Sequence, residues 1–134
     1  MAILPSQPGI KVSVVDSSGA AFQEFPDDDA EHSDKVVSKY IEATSGTEFG
    51  ICWDLTPPWP AHTLLLWFYV DNKCIGGTYC HQWRYRMGRY TGTQAGASSI
   101  VDGREFRQKL AFAALDVGKS IGSLESLVAD SIRR

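Results

Sequence analysis

Val36-Val37-Ser38-Lys39-Tyr40-Ile41-Glu42-Ala43-Thr44-Ser45-Gly46-Thr47-Glu48-Phe49-Gly50-Ile51-Cys52-Trp53-Asp54-Leu55 is the stretch that decides the fold. Its second half sets Phe49, Ile51, Trp53 and Leu55 on one side of an extended chain and Gly50, Cys52 and Asp54 on the other. A period of two is what a strand with one buried face produces, and it fits a helix poorly. A polar turn around Ser45-Gly46 separates this strand from an earlier one containing Tyr40 and Ile41, so the whole stretch predicts an antiparallel hairpin.

Toward the N-terminus, Ile10, Val12 and Val14 alternate with Lys11 and Ser13, a strand opened by Pro8-Gly9. Asp16-Ser17-Ser18-Gly19 has turn chemistry, and a second strand is expected over residues 20–25. Pro26 then opens an acidic segment, Asp27, Asp28, Asp29, Glu31 and Asp34, with no apolar period; it predicts an exposed loop. Beyond the hairpin, Thr56-Pro57-Pro58-Trp59-Pro60 supplies too few amide donors for a sheet interior and predicts a crossing between sheets. Leu64, Leu66, Phe68 and Val70 then line one face, while Leu65, Trp67 and Tyr69 line the other. A run apolar on both faces predicts a central strand covered on both sides, with Trp53 and Trp67 both in the core.

Asp71-Asn72-Lys73 turns the chain into a strand over residues 74–80, where Gly76-Gly77 mark a bulge or a close backbone approach. Residues 81–103 read as a long connection with one short strand, closed by the hairpin signal Asp102-Gly103. In the strand that follows, Phe106, Leu110 and Phe112 alternate with Arg107, Lys109 and Ala111. Ile121, Leu124, Leu127, Val128 and Ile132 recur at helical spacing, with Ser123 placed to cap and Arg133 and Arg134 at the end. The expectation is all-β: an antiparallel β-sandwich, jelly-roll or immunoglobulin-like, over residues 1–116, with a short C-terminal α-helix in a tail over 117–134.

The 134 residues make one domain, with 43% hydrophobic and 22% charged residues, values of a folded globule. Thirteen basic residues against 16 acidic ones, a net charge of −3, argue against a dedicated nucleic-acid binder. Residues 1–7 have no signal-peptide pattern, and the apolar run at 64–70 is too short to cross a bilayer; an intracellular, cytoplasmic or nuclear location is expected. Cys52, Cys74 and Cys80 read as reduced thiols, since Cys74 and Cys80 on one extended strand lie too far apart to bridge.

Gly9-Ile10-x-Val12-x-Val14, then Tyr40-Ile41-Glu42-Ala43-x-Ser45-Gly46-x-x-Phe49-x-Ile51, then Tyr69-Val70-Asp71-Asn72-Lys73, and finally Lys109-Leu110-Ala111-Phe112-Ala113-Ala114-Leu115 form an ordered set over residues 9–115. In this order the set resembles an uncharacterised fungal domain-of-unknown-function family. The resemblance implies a fungal origin and a β-rich fold, and it transfers no activity. Asn72 stands where that family usually has glycine, a substitution a left-handed turn tolerates. The tail after Leu115 departs from the family pattern.

Four constellations are candidates for function. Trp59, Trp83, Tyr85 and Tyr90, in or beside loops, suit a carbohydrate or other small ligand. Arg84, Arg86 and Arg89, interleaved with Trp83, Tyr85 and Tyr90, suit single-stranded nucleic acid, or else an amphipathic strand with Trp83 and Tyr85 inward. Asp27, Asp28, Asp29, Glu31 and Asp34 lack the ligand spacing and central glycine of a calcium loop, and read as a solvated surface that docks a basic partner. Leu124 and Val128 lie on the helix face expected to mediate self-association. There is no His-x-x-x-His pair, CxxC, GxSxG, Walker loop or GxGxxG, so no catalytic residue, metal ligand or cofactor is nominated. The function expected is non-catalytic protein interaction or assembly, with a protein partner or self-association and no membrane. Small-ligand binding and single-stranded nucleic-acid binding are the alternatives.

Overall fold

A computed structural model describes residues 1–29, 33 and 35–113, which carry ten strands and one helical turn. In chain order these are β1 (Ala2–Leu4), β2 (Gln7–Asp16), β3 (Glu24–Pro26), β4 (Lys39–Ile41), β5 (Glu48–Leu55), β6 (Leu64–Val70), β7 (Lys73–Cys80), α1 (Gln82–Tyr85), β8 (Tyr90–Gln94), β9 (Gly96–Val101) and β10 (Arg104–Ala111). Every strand pairing is antiparallel. The C-terminal helix expected from the sequence, with Leu124 and Val128, lies outside the described residues, as do Glu31 and Asp34.

β5 is the centre of a six-stranded sheet ordered β1-β2-β5-β10-β9. One edge of β5 pairs with β2 from Ile10↔Leu55 to Asp16↔Phe49; the other is shared end to end by β8, from Ile51 to Leu55, and β10, at Glu48 and Phe49. The alternation of β5 is realised: Phe49, Ile51, Trp53 and Leu55 are all buried and cluster with Ile10, Val14, Leu110 and Phe112. Over them lies the β6–β7 hairpin, which contributes Leu64, Phe68, Ile75 and Cys80, with Phe68 stacked on Trp53 at 5.3 Å. Trp53 faces its register partner Gly92, where a Cβ would come within 2.2 Å of Cζ2 of the indole, so the strand has a glycine where the ring needs room.

The turns follow their chemistry. Asp71 and Asn72 both have positive φ (49° and 63°), as do Asp102 and Gly103 (51° and 75°), giving the two tight hairpins β6–β7 and β9–β10. The Asp16 carboxylate accepts from the Ser18 amide, the Ser18 hydroxyl and the Ala20 amide, which holds its pKa below the ordinary carboxylate value. Gly76 sits at the expected bulge, where pairing steps from Phe68↔Gly76 to Tyr69↔Cys74. The proline segment does leave the large sheet for the hairpin, with the Pro57-Pro58 bond cis.

Four sequence expectations are corrected. Residues 39–41 and 48–55 do not pair with each other: β4 pairs with β3, and β5 takes the longer ladders of β2 and β8. The Thr47 carbonyl accepts from the Phe112 amide, and the Gly46 amide donates to the Phe112 carbonyl, so the end of β10 takes the place expected of β4. The second strand is broken: Ala21 bridges Val15, then the chain crosses to form β3. β6 is not central; it pairs with β7 alone in a two-stranded sheet, and Trp67 and Tyr69 are exposed on its outer face because their polar ring edges tolerate water. Residues 81–103 are not one long connection but hold α1, β8 and β9.

Candidate functional site

The outward face of the β6–β7 hairpin follows from register. Leu65 pairs with Tyr79, Trp67 with Gly77 and Tyr69 with Cys74, so these six positions share the side away from the core. Gly77 makes room for Trp67: a Cβ there would lie 2.7 Å from Cε3 of the indole. Trp67 is 40% exposed and Tyr79 62%. The row continues past the strand. Tyr79 and His81 are near parallel at 6.1 Å between centroids, and His81 and Trp83 at 6.4 Å. Trp83, on α1, is 66% exposed. The Arg84 guanidinium lies 5.9 Å from the Trp83 ring centroid and 5.5 Å from that of Tyr90, both within cation–π range. Arg86, at the end of the turn, is exposed.

The four loop aromatics expected to line a ligand cleft are not brought together. Tyr85 is fully buried, and its hydroxyl donates to the carbonyls of His62 (2.6 Å) and Pro60 (3.0 Å). Trp59 packs beside it at 5.8 Å, and the Gln82 amide side chain donates to the Ala61 carbonyl at 2.7 Å. These groups clamp α1 to the proline crossing; they are structural. Tyr90 is half-buried in β8, which leaves Trp83 alone at the surface. Residues 83–86 are a helical turn and not the expected strand: Tyr85 faces inward and Arg84 and Arg86 outward as that reading has them, but Trp83 is exposed because a helical turn does not alternate.

The arginines also separate. Arg89 makes a bidentate pair with Asp54, with Nε to Oδ1 and Nη2 to Oδ2 both at 2.9 Å. Asp54 is buried on the sheet face opposite Trp53, and its bonds and charge raise the Arg89 pKa further above its ordinary value. Arg89 is thus committed to the fold. Of the acidic segment, Asp28 and Asp29 are exposed, and Asp27 raises the Tyr40 phenol pKa through a hydrogen bond. Among the described residues, no group of three or more His, Cys, Asp or Glu side chains converges on a metal position. The three cysteines are free thiols, and burial pushes Cys80 up to about 11.

Away from this face, an open groove of about 490 Å³ is lined by the Val15–Gly19 turn, Phe49, Gly50, Thr93 and Lys109. Its charged groups are already partnered, Asp16 by its own turn and Lys109 by Glu48 at 3.2 Å. The residues that sequence reasoning missed are Trp67, Tyr69, Tyr79 and His81. One signal was available: the inner face of β6 is Leu, Leu, Phe and Val, whereas the outer face carries Trp and Tyr, side chains with a polar edge.

Fold and surface define an antiparallel β domain that presents a row of exposed rings bordered by guanidinium groups. The chain belongs to the family described as domain of unknown function DUF7918, whose model matches residues 9–130. No curated protein and no solved structure matches the chain. No helix among the described residues is long and apolar enough to cross a membrane.

Proposed function

We propose that this domain is a non-catalytic protein-interaction module whose working surface is the outer face of β6, β7 and α1. The partner is a protein segment with acidic side chains beside apolar ones. The observation that carries the reading is the exposed row of Trp67, Tyr69, Tyr79 and Trp83, carried from strand to turn through His81, with Arg84 against Trp83 and exposed Arg86 at the end of the same turn. Trp, Tyr and Arg are the side chains that dominate protein–protein hot spots, because each joins a large contact area to a polar tip. Arg86 and the outward side of Arg84 favour carboxylates.

The alternatives fit less well. A sugar cleft needs its rings together, and Trp59, Tyr85 and Tyr90 are spent on packing. Single-strand binding loses Arg89 to Asp54 on a chain of net charge −3. We read the six-stranded sheet and the β6–β7 hairpin as the two layers of a β-sandwich, a reading supported by the Trp53–Phe68 stack and by a core drawn from both. An intracellular location is supported by three cysteines that remain thiols.

The test is panning a displayed random-peptide library against the wild-type domain, with counter-selection on a folded Trp83→Ala/Arg86→Glu variant. Enrichment of acidic, apolar-flanked sequences that bind wild type and not the variant supports the proposal. Peptides that bind both equally, or none at all, would sink it, as would saturable glycan binding that quenches Trp83.

A further inference from the structure

β9 and β10 form a ribbon whose outer half is exposed on every side: Ile100 is 78% exposed, and Val101 and Phe106 are about half exposed. One edge of β10 is taken by β9 from Arg104↔Val101 to Lys109↔Gly96. The other meets β5 only at Leu110 and Ala111, so among the described residues the edge from 104 to 109 pairs with nothing. An open edge of unpaired amides and carbonyls is a template for another strand. We propose that the occupant is β10 of a second copy of this chain, paired antiparallel about a two-fold axis at Phe106.

The charges on β10 select that register. With Phe106 opposite Phe106, Glu105 of each copy faces Arg107 of the other, and Arg104 faces Gln108. Two opposite-charge pairs form and no like charges meet. Slipping by one residue in either direction sets Arg104 against Lys109 twice or against Arg107 twice. Slipping by two sets Arg107 against itself, offsetting two Glu105–Lys109 pairs, or sets Glu105 against itself with no opposite-charge pair. Of these five registers, only the one centred on Phe106 avoids repulsion. The apolar contacts fall in the same place: Phe106 meets its own copy, and Val101, opposite Arg104 on the same side of the ribbon, extends the patch. The product is a continuous four-stranded β9-β10-β10-β9 sheet, an isologous interface that closes and does not propagate. Charged side chains on an edge usually prevent pairing. Here they reject the wrong registers and leave one.

Sedimentation velocity of the full chain over a concentration series tests this. Wild type should show a reversible monomer–dimer equilibrium. Glu105→Arg or Arg107→Glu places like charges opposite each other twice and should weaken dimerisation by roughly tenfold or more. Both side chains are exposed, at 63% and 82%, so neither change threatens the fold. The double variant Glu105→Arg/Arg107→Glu restores complementarity and should restore the dimer, whereas Leu124→Asp should leave it intact. A wild-type monomer throughout, a dimer indifferent to the single reversals, or a double variant that stays monomeric would each overturn the proposal.

Discussion

Gly92→Ala is the substitution through which the core can be interrogated most directly. A Cβ at this position would stand 2.2, 2.7 and 2.9 Å from Cζ2, Cε2 and Cη2 of Trp53. The indole has nowhere to go: it is 6% exposed and stacked on Phe68. Gly92 has ordinary negative φ, so alanine brings no backbone strain; the whole effect is steric. Overpacking of this kind costs about 1–3 kcal/mol. The reduced freedom of the unfolded chain returns about 0.4–1 kcal/mol, leaving a net loss of about 1–2 kcal/mol. Trp53→Phe removes the atoms that clash, so in that background Gly92→Ala should be neutral or slightly stabilising. The entropy gain is common to both backgrounds and cancels, so the cycle predicts a coupling equal to the steric cost, about 1–3 kcal/mol, read from urea unfolding of the four proteins by far-ultraviolet circular dichroism. Equal losses in both backgrounds, or a wild-type background that tolerates alanine, would refute the account of Gly92 as the seat of Trp53.

Other consequences are as readily checked. Tyr85→Phe deletes the donor that serves the His62 and Pro60 carbonyls and should cost about 1–2 kcal/mol in chemical denaturation, with hydrogen exchange rising in α1 and residues 60–63. The buried Cys80 thiol has its folded pKa raised from 9.0 to about 11. Its contribution to stability is therefore complete below pH 9 and lost as pH rises through about 11; the slope across that window should vanish in Cys80→Ala. A thiol reagent on the native protein should modify exposed Cys74 first and Cys80 only after unfolding. Arg89→Lys keeps the charge but loses the two-pronged contact with Asp54, so its melting temperature should fall below wild type; an unchanged melt would show that the pair is incidental.

Much of this domain is local physics, and that part is legible without a structure. The alternation in β2, β5 and the inner face of β6 comes from side chains pointing to opposite sides of an extended chain. The turns at Asp71-Asn72 and Asp102-Gly103 come from residues that tolerate positive φ. These features depend on neighbours one to four positions apart. The bulge at Gly76 belongs with them, because a residue without a side chain marks where a strand departs from regular pairing.

Partner choice and coverage are different in kind. Tyr40 and Ile41 read correctly as strand and wrongly as the partner of β5, because which ladder forms is a competition among all available edges, and β2, β8 and Phe112 win it from far along the chain. Trp67, and Trp83 in the amphipathic-strand reading, belong on the water side of the boundary and not in the core where alternation alone puts them. A period of two says that a face is apolar; it does not say what will lie over it, and a one-turn helix has no period to read. Sequence alone therefore determined the strand alternation and the principal turns of this protein, since both are set by bonds and clashes within a few residues. Tertiary structure alone decided which rings face water, and with them the candidate surface, since burial depends on contacts between segments that the chain brings together only when folded.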